Sequence, residues 1–470
     1  MNMEKDKGVR TQHPDYIKNS PLWKKCNDAA EGEHVIHAAG ETYLPRLAEE
    51  LDADYEARKA RTPFFNATWR TISGLKGMLF RKAPTYELAA AVKAYADDID
   101  LAGTPLDMFA QEISEEVLKP GRVGILVDRP PIPSDQVLTV AQAERLGLRP
   151  TMQKYEASSI INWKYGRVNN AYVLVMVVLA ESSAVGEEEF AHTTEDRYRV
   201  LDLVDGKYRQ RLFMHEDGKD VQIDGDIFPQ MNGKPLPYIP FIFLGVNDLS
   251  ANIDTPPLLD LVCMNIHHYQ VSADFEHGCH YSGLPTLFIT GHRAGEEDDK
   301  IYIGGPTANV LSDPQAQAFY AEVEGHFEAL QKNLESKKGE MAVLGARMLE
   351  NQKAAVESHE TLSHRTQGEQ SQLAAMAAVI SMGLEKALGI FSEWAGGVDT
   401  VEYKLNTDFI PNSMSSQDLT ALVAAWQSGM PGASDQNVYR LMQEREMADP
   451  LITFEEEQER ISTRTPQLMV

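Results

Sequence analysis

The residues with the clearest chemical potential are cations between positions 332 and 365. The set comprises Lys332, Lys337, Lys338, Arg347, Lys353 and Arg365. Sparse cations of this kind can contact a passing polyanion such as a phosphate backbone. They can equally form ordinary helical pairs with carboxylates three or four residues away. The nearby carboxylates are those of Glu328, Glu335, Glu340 and Glu350. The sequence alone leaves both interpretations open.

A second group with chemical potential is His277, Cys279 and His280, which lie near the end of a predicted helix. These residue types can ligate zinc, but no fourth ligand is close in the sequence. The alternative interpretation is a set of polar helix-end residues and a buried thiol. His267 and His268 are adjacent on a helix, so they point to different faces and are poorly placed to share a metal.

Motifs for nucleotide, acyl-transfer or protease chemistry are missing from the sequence. We find no phosphate-binding loop, no GxGxxG after a strand, and no GxSxG, HExxH or CxxC. A nucleotide-driven motor is therefore not expected, and we predict no catalytic residue, no metal site and no cofactor. The alternative that stays open is a cytosolic metal-dependent hydrolase with a His/Cys site near 277–280. A helical scaffold or adaptor is a third option, against which the hairpin-rich section 155–246 argues.

Composition indicates a soluble protein with two or more domains. The chain has 470 residues, of which 43% are hydrophobic and 24% charged. Three cysteines are too few and too scattered for a disulfide framework, which favours a reducing cytosol. No signal peptide and no run long enough to span a bilayer are expected, and the strongest apolar run, Ala171–Ala180, is interpreted as a buried strand.

The net charge of −26 restricts the partners that this protein can have. A protein that holds duplex DNA tightly usually has a basic surface, because affinity comes from neutralising phosphates. Nucleic acid is therefore either irrelevant to this chain or passes close to it without binding tightly.

Two long helices must position the cations. Apolar residues at helical spacing predict one helix from Phe319 to Leu344 and another from Leu362 to Trp394, followed by a Gly396-Gly397 cap. A polar interval, residues 350–361, separates them. Helices of this length without heptad regularity need a large partner, and we expect that partner to be other copies of the chain.

The rest of the chain reads as helices, then strands, then helices. Predicted helices cover 43–61 (a charged, solvated outer helix), 66–81, 86–99, 106–119, 258–283 and the acidic end 415–462. Strands are predicted at 123–127, in an antiparallel section 155–246, at 285–312 and at 401–405, a lone strand. Predicted strand breaks in the antiparallel section are Gly166, Gly186, Asp205-Gly206 and Asp217-Gly218. The predicted fold class is α+β.

Several runs, taken in order, resemble one family of tailed-bacteriophage portal proteins (head-to-tail connectors). They are His13–Tyr16, Trp23, Asp28–Gly32, Tyr43–Pro45, Phe65–Lys82, Ile239–Ile242, the helix 258–282 entering Gly283–Pro285, and Leu344–Leu349. The resemblance covers nearly the whole chain, and its weight lies in order and spacing together, since no single motif is chemically diagnostic.

The resemblance implies a phage-portal fold: a wing of helices and antiparallel strands, a two-helix stem, a small α/β clip, a long kinked wing helix and a short helical crown. The implied divisions are wing 1–255, first stem helix 256–282, clip 283–318, second stem helix 319–344, tunnel loop 345–361, second part of the wing 362–410 and crown 411–470. The crown would face the capsid interior.

The same resemblance implies a non-enzymatic ring, typically a dodecamer, at one capsid vertex of a virion assembled in the host cytoplasm. The implied partners are the major capsid protein, the terminase large subunit, a head–tail adaptor and double-stranded DNA, with no membrane. The implied DNA-channel residues are Lys337, Lys338, Arg347, Asn351, Gln352, Lys353 and Arg365. The implied clip contacts with terminase or adaptor are His292, Arg293, Glu296, Glu297 and Lys300.

Overall fold

The structure is a computed structural model. It describes residues 8–130, 145–185, 193–216, 218–223, 225–231, 233–283, 286–290, 315, 317–321, 327–349, 371–397, 400–409, 422–424, 426–428, 430, 434–444, 448 and 452–462. The chain divides into two compact units, Met1–Thr407 and Asp408–Val470. Mixed helix and antiparallel sheet confirm the α+β class.

Nine helices of the first unit lie within the described residues. They are α1 (Pro14–Glu31), α2 (Glu33–Ala39), α3 (Asp52–Arg61), α4 (Ala67–Leu79), α5 (Ala90–Lys93), α6 (Leu106–Leu118), α7 (Leu259–Gly283), α8 (Glu328–Ala346) and α9 (Gln372–Trp394). Asn66 caps α4, because its Oδ1 accepts a hydrogen bond from the Trp69 amide at 2.8 Å. The predicted helices 66–81 and 106–119 are confirmed within two residues at each end.

The strands of the first unit form five antiparallel sheets. Their bounds are β1 (Thr85–Glu87), β2 (Arg122–Asp128), β3 (Thr151–Glu156), β4 (Ile160–Val168), β5 (Ala171–Val185), β6 (Thr193–Val204), β7 (Lys207–Glu216), β8 (Lys219–Gln222), β9 (Gln230–Met231), β10 (Lys234–Pro235), β11 (Phe241–Gly245), β12 (Thr286–Thr290), β13 (Gln317–Ala321) and β14 (Glu402–Lys404). The sheet orders are β1-β14, β10-β9, β11-β2-β3, β12-β13 and β4-β5-β6-β7-β8.

The five-stranded sheet is a meander, as the two Asp-Gly pairs predict. Asp205 and Gly206 have φ values of 50° and 73°, which fit the tight turn between β6 and β7. The predicted break at Gly166 is wrong, because this residue lies inside β4 and pairs with Val173. The turn falls instead at Asn169-Asn170, where asparagine tolerates φ values of 47° and 67°.

Two predicted helices in the N-terminal half need correction. The segment 43–61 is helical only in α3, and Tyr55 in that helix is 2% exposed, so the segment is not a purely solvated outer helix. In the predicted helix 86–99, the start is strand β1 and α5 spans four residues. β1 pairs with β14, so the strand predicted to be alone at 401–405 has a partner more than 300 residues away.

The core of the first unit is built around α9, whose described N-cap is Ser371. The helix packs against β2, β11 and β14, and a Cβ on Gly383 would overlap with the side chain of Leu244, so helix and sheet approach closely there. By length and composition α9 could also cross a membrane. Helix α9, and not Ala171–Ala180, is therefore the strongest apolar segment of the described chain. Its buried residues include Leu384, Leu388 and Phe391, so it is a core helix.

The first of the two long helices begins later than predicted. Phe319 lies in β13 opposite Phe288 of β12, and α8 begins at Glu328. The prediction failed because Phe319, Val323 and Phe327 have helical spacing, whereas strand pairing with β12 determines the conformation of 317–321. The first residues of the predicted tunnel loop are also helical, since α8 is followed by a 3₁₀ turn at Arg347–Leu349. Residues 350–370 lie outside the described part.

The second unit contains two short helices among its described residues, as the sequence predicts for the acidic end. They are α10 (Asp435–Glu444) and α11 (Phe454–Ser462). Tyr439 of α10 contacts Phe454 of α11, with ring centroids 5.7 Å apart. The division of the chain into wing, stem, clip, tunnel loop and crown stays a prediction.

Candidate functional site

The candidate site is the antiparallel pair of helices α7 and α8. The first half of α7 packs against α1, α3 and α4, and its residues Val262, Ile266 and Tyr269 share one core cluster with residues of α1, α2 and α3 and their connections. Asn265 fixes the contact with α4. Its Nδ2 donates to the Phe65 carbonyl at 2.8 Å, and its Oδ1 accepts from the Thr68 amide and hydroxyl at 3.0 Å each.

A buried ion pair lies in the segment that supports this half of α7. Arg58 of α3 donates to both carboxylate oxygens of Glu50, at 2.7 and 2.8 Å, and to the Pro45 carbonyl at 2.9 Å. The side chains of Arg58 and Glu50 are 2% and 4% exposed. The hydrogen bonds from Arg58 lower the pKa of Glu50 to about 2.

Helix α8 lies along α7 and is otherwise little covered by the residues that the structure describes. Of its 19 residues, Lys337 and Met341 are buried. At the far end of the pair, Phe275 and Phe327 meet edge to face, and a Cβ on Gly278 would overlap with the Phe327 ring. The remaining surface of α8 is exposed or half-buried, which is unusual for a helix of this length outside an assembly.

Helix α8 also contacts helix α4 at its C-terminal end. A Cβ built on Gly345 would lie 3.0 Å from Cγ2 of Thr71 in α4, so these two helices approach closely. Met348, in the turn that follows, is 2% exposed. The pair of helices is therefore held by α1, α3 and α4 at the start of α7 and by α4 at the end of α8.

His268 is a buried imidazole between the two helices and α4. It is 3% exposed, and neither of its ring nitrogens has a hydrogen-bond partner among the described residues. Burial first, and then the charges of Lys338 and Lys337, lower the pKa of His268 to about 4. Its neighbour His267 is exposed, and its Nδ1 lies 3.4 Å from the ammonium of the buried Lys337.

Two cations lie close to the ring of Phe65, the second residue before α4. The guanidinium carbon of Arg70 lies 4.8 Å from the ring centre, and the ammonium of Lys338 lies 5.1 Å from it. Both distances are within the range of cation–π attraction. Arg70 and Lys338 are exposed, and neither makes an ion pair in the part of the chain that the structure describes.

The structure describes three of the predicted channel residues. Lys337 is buried against α7, Lys338 lies over Phe65, and Arg347 is exposed in the turn after α8. The other predicted channel residues (Asn351, Gln352, Lys353, Arg365) and the predicted clip residues (His292, Arg293, Glu296, Glu297, Lys300) lie outside the described part. Of the helical ion pairs considered from the sequence, the one observed is Lys332–Glu328 at 4.0 Å, an exposed contact of little energetic weight.

Sequence reasoning missed Phe65, Arg70 and the burial of His268. Phe65 and Arg70 belong to the run Phe65–Lys82 that resembles portal proteins, but the sequence gives neither of them a role. For His268 the sequence raises only the question of metal binding. A usable signal was present in the spacing: the cap residue Asn66 starts α4, which places Phe65 and Arg70 about one turn apart at its beginning.

The predicted alternative metal site gains no support from the geometry. Among the described residues, no group of three or more His, Cys, Asp or Glu side chains is placed to hold a metal ion. Burial and the nearby cations Arg58 and Arg61 lower the pKa of His277. A cationic surrounding of this kind disfavours a second cation. All three cysteines are free thiols.

Comparison with known proteins gives one family match, which begins just before α7. A family described as "Domain of unknown function (DUF4055)" matches residues 257–395, from α7 to the end of α9. No curated protein matches this chain.

Comparison with solved structures gives matches that include three chains of a gene transfer agent (GTA) particle. A chain of the virion of a native gene transfer agent (GTA) particle has 12% identity and a TM-score of 0.37, with 88% of this chain and 99% of that chain covered. The chain resembles components of that particle. A chain of the native particle's neck, computed with C12 symmetry, has 11% identity, coverage of 81% and 91%, and a TM-score of 0.37. A chain of the empty particle's neck has 11% identity, coverage of 89% and 99%, and a TM-score of 0.34.

Proposed function

We propose that this chain is a portal subunit: it forms a ring at one capsid vertex, and double-stranded DNA enters and leaves through the channel of that ring. The proposal includes docking of the terminase large subunit during packaging and of a head–tail adaptor afterwards. It rests on the resemblance of the sequence to portal proteins and on one structural observation, the exposed helix α8.

The exposure of α8 favours a ring. A helix in a soluble domain normally buries an apolar stripe, and most of its stability comes from that burial. Here Lys337 and Met341 are the buried residues of α8, while Val343 is 53% exposed. Neighbouring copies packed around a closed ring would cover the rest of the helix, since a heterologous contact that closes supplies each copy with two neighbours.

The charge of the chain suits a channel for mobile DNA. An excess of 26 negative charges per copy repels phosphates over most of the surface, which keeps a duplex from binding tightly. A few cations would then provide local contacts. Lys338 and Arg347 are the exposed described members of the predicted channel set, and we propose that Arg347 acts with Asn351, Gln352, Lys353 and Arg365. Lys337 and Lys338 belong to the same predicted set, and both lie close to α7 or Phe65.

The ring is tested by native mass spectrometry and negative-stain electron microscopy of the purified chain. The expected result is a closed ring whose mass is an integral multiple of the 52.4 kDa chain, with twelve copies as the number that the resemblance implies. Monomers or dimers alone, across a range of salt and protein concentrations, would contradict the proposal.

The channel role is tested with the double variant Arg347→Glu/Lys353→Glu. We expect rings to form normally and the amount of packaged DNA to fall, because a phosphate passing these positions would meet carboxylates instead of cations. The matched control is Lys207→Glu/Lys234→Glu, which makes the same charge change at exposed positions of the strand section. Unchanged length of packaged DNA in the first variant would exclude a role for these two cations and leave the ring untouched.

A further inference from the structure

A cationic patch lies where α4, α7 and α8 meet. We define the patch as Arg70, Lys337 and Lys338 together with Phe65 and His268. Arg70 and Lys338 both approach the ring of Phe65, at 4.8 and 5.1 Å from its centre. Within the described chain none of the three cations forms an ion pair with a carboxylate. That is unexpected in a protein with 70 acidic and 44 basic residues, where carboxylates are the commoner charge.

His268 gives independent evidence that the patch lacks a partner. Its ring centroid lies 5.8 Å from that of Phe65, and both ring nitrogens are unbonded in the described structure. Buried polar groups are normally hydrogen-bonded. An imidazole that is 3% exposed and has no hydrogen-bond partner in the described structure therefore indicates that a group beside it is missing. Arg70 and Lys338 add positive charge with no carboxylate beside it in the described structure, so a group that completes the patch would be an anion.

We propose that the patch binds carboxylates of a second copy of this chain, namely Asp260 and Asp274 of the neighbouring α7. The inference rests on the ring proposed above, and it assigns two surfaces that meet in that ring. Charge complementarity across such a contact fixes the register and excludes wrong orientations, even where it adds little affinity.

The acidic stripe has the spacing and exposure that this contact needs. Asp260, His267 and Asp274 follow one another at intervals of seven residues, which places them on one face of α7. All three are exposed, and neither aspartate forms an ion pair with a described residue. Asp274 has Arg58 in its vicinity, but Glu50 already neutralises that guanidinium.

The two aspartates of the stripe and His268 of the patch point in different directions from α7, although His267, between the aspartates, lies 3.4 Å from Lys337 of the patch. At 3.6 residues per turn, the stripe lies roughly 80–120° around α7 from His268, which faces the patch. A heterologous contact joins two different surfaces of identical chains, so each copy must carry both surfaces on separate faces. A phosphate backbone could also supply anions to the patch, but it would leave the aspartates of the stripe unmatched, whereas the contact between copies satisfies both.

The experiment uses charge reversal on each surface and on both. The variants are Arg70→Glu/Lys338→Glu, Asp260→Lys/Asp274→Lys, and the combination of all four substitutions. Lys207→Glu/Lys234→Glu, at exposed positions of the strand section, is the control for net charge. Circular dichroism establishes that each variant is folded, and native mass spectrometry measures the fraction of chain in rings.

We expect each one-sided reversal to lower the fraction in rings at least tenfold, because like charges would then face each other in every contact of the ring. The four-fold variant and the control should assemble like the parent chain. A one-sided variant that assembles normally overturns the inference, and a loss of DNA retention in those intact rings would identify phosphate as the occupant. Failure of the four-fold variant to recover overturns the assigned pairing. A parent chain that never forms rings overturns the proposed function itself.

Discussion

His268→Leu should make this protein more stable at neutral pH, although it removes a polar group from a buried position between two helices. The imidazole is 3% exposed and its two nitrogens are unbonded in the described structure. An unsatisfied buried polar group costs about 1–3 kcal/mol. Leucine has a similar volume and no polar atom, so we expect a gain of about 1–2 kcal/mol in the free energy of unfolding.

The pH dependence of the free energy of unfolding provides a second, independent test of the burial of His268. The folded-state pKa of His268 is lowered from 6.5 to about 4, so its neutral form is the one that the fold accommodates. Its contribution to stability is present above pH 6.5 and is lost as the pH falls towards 4, where the unfolded chain binds a proton that the folded chain does not. Each pKa unit corresponds to about 1.4 kcal/mol, which makes the loss about 3 kcal/mol by pH 4. His268→Leu removes this loss.

The assay is urea unfolding followed by tryptophan fluorescence at pH 7, 6, 5 and 4, at one protein concentration. The control is His34→Leu, which replaces an exposed imidazole in α2 and should leave the midpoint within about 0.5 kcal/mol of the parent. Parallel pH profiles for the parent chain and His268→Leu would show that His268 is not held neutral by burial. A large loss of stability at pH 7 would show that its nitrogens are bonded in solution.

Two further substitutions test how the helix pair is held. Glu50→Gln leaves Arg58 buried without its carboxylate and should cost about 3–5 kcal/mol, against little change for the exposed Glu56→Gln. Because the folded pKa of Glu50 is about 2, its contribution is present above pH 4.5 and lost as the pH falls towards 2, so Glu50→Gln should also flatten acid denaturation in that range. Gly278→Ala places a Cβ against the Phe327 ring and should speed hydrogen exchange in α8, whereas Gly339→Ala, which meets open space, should slow it. Equal effects of the two glycine substitutions would show that the Phe327 contact does not hold the helix.

Local signals in the sequence were sufficient for most helices and hairpins. Asn66 marks the start of α4, and Asp205-Gly206 marks a tight turn, because in each case the side chain or its absence acts on the adjacent backbone. The start of α7 after Pro256-Pro257 was found for the same reason.

Pairing between distant segments could not be predicted from those signals. The strand at 317–321 has an apolar spacing that also fits a helix, and only β12 decides the matter by pairing with it. The partner of β14 lies more than 300 residues earlier in the chain. Short strands gain most of their stability from their neighbours, so their conformation depends on contacts that a local pattern does not contain.

The sequence shows which residues are cations, but it does not show whether each of them is buried or exposed. Lys337 and Lys338 are adjacent in the sequence, yet the first is buried beside His267 and the second lies exposed over Phe65. Neighbouring residues on a helix point about 100° apart, so a position at the edge of an interface separates them completely. The predicted set of channel cations therefore contained two residues with different surroundings.

The same geometry explains why α8 should depend on assembly. Isolated helices shorter than about 12–15 residues are marginal in water even for the best helix formers, and packing of one face normally supplies most of the stability of a helix in a protein. Within this chain α8 buries a lysine and a methionine, and the lysine brings a charge into the contact. Exposed positions such as Gly339 and Val343 lie on the side of α8 turned away from Lys337 and Met341, where a neighbouring copy could add apolar contact. We therefore expect the helix to be stabilised in two stages, first by α7 and α4 within the chain and then, in the proposed ring, by the next copy.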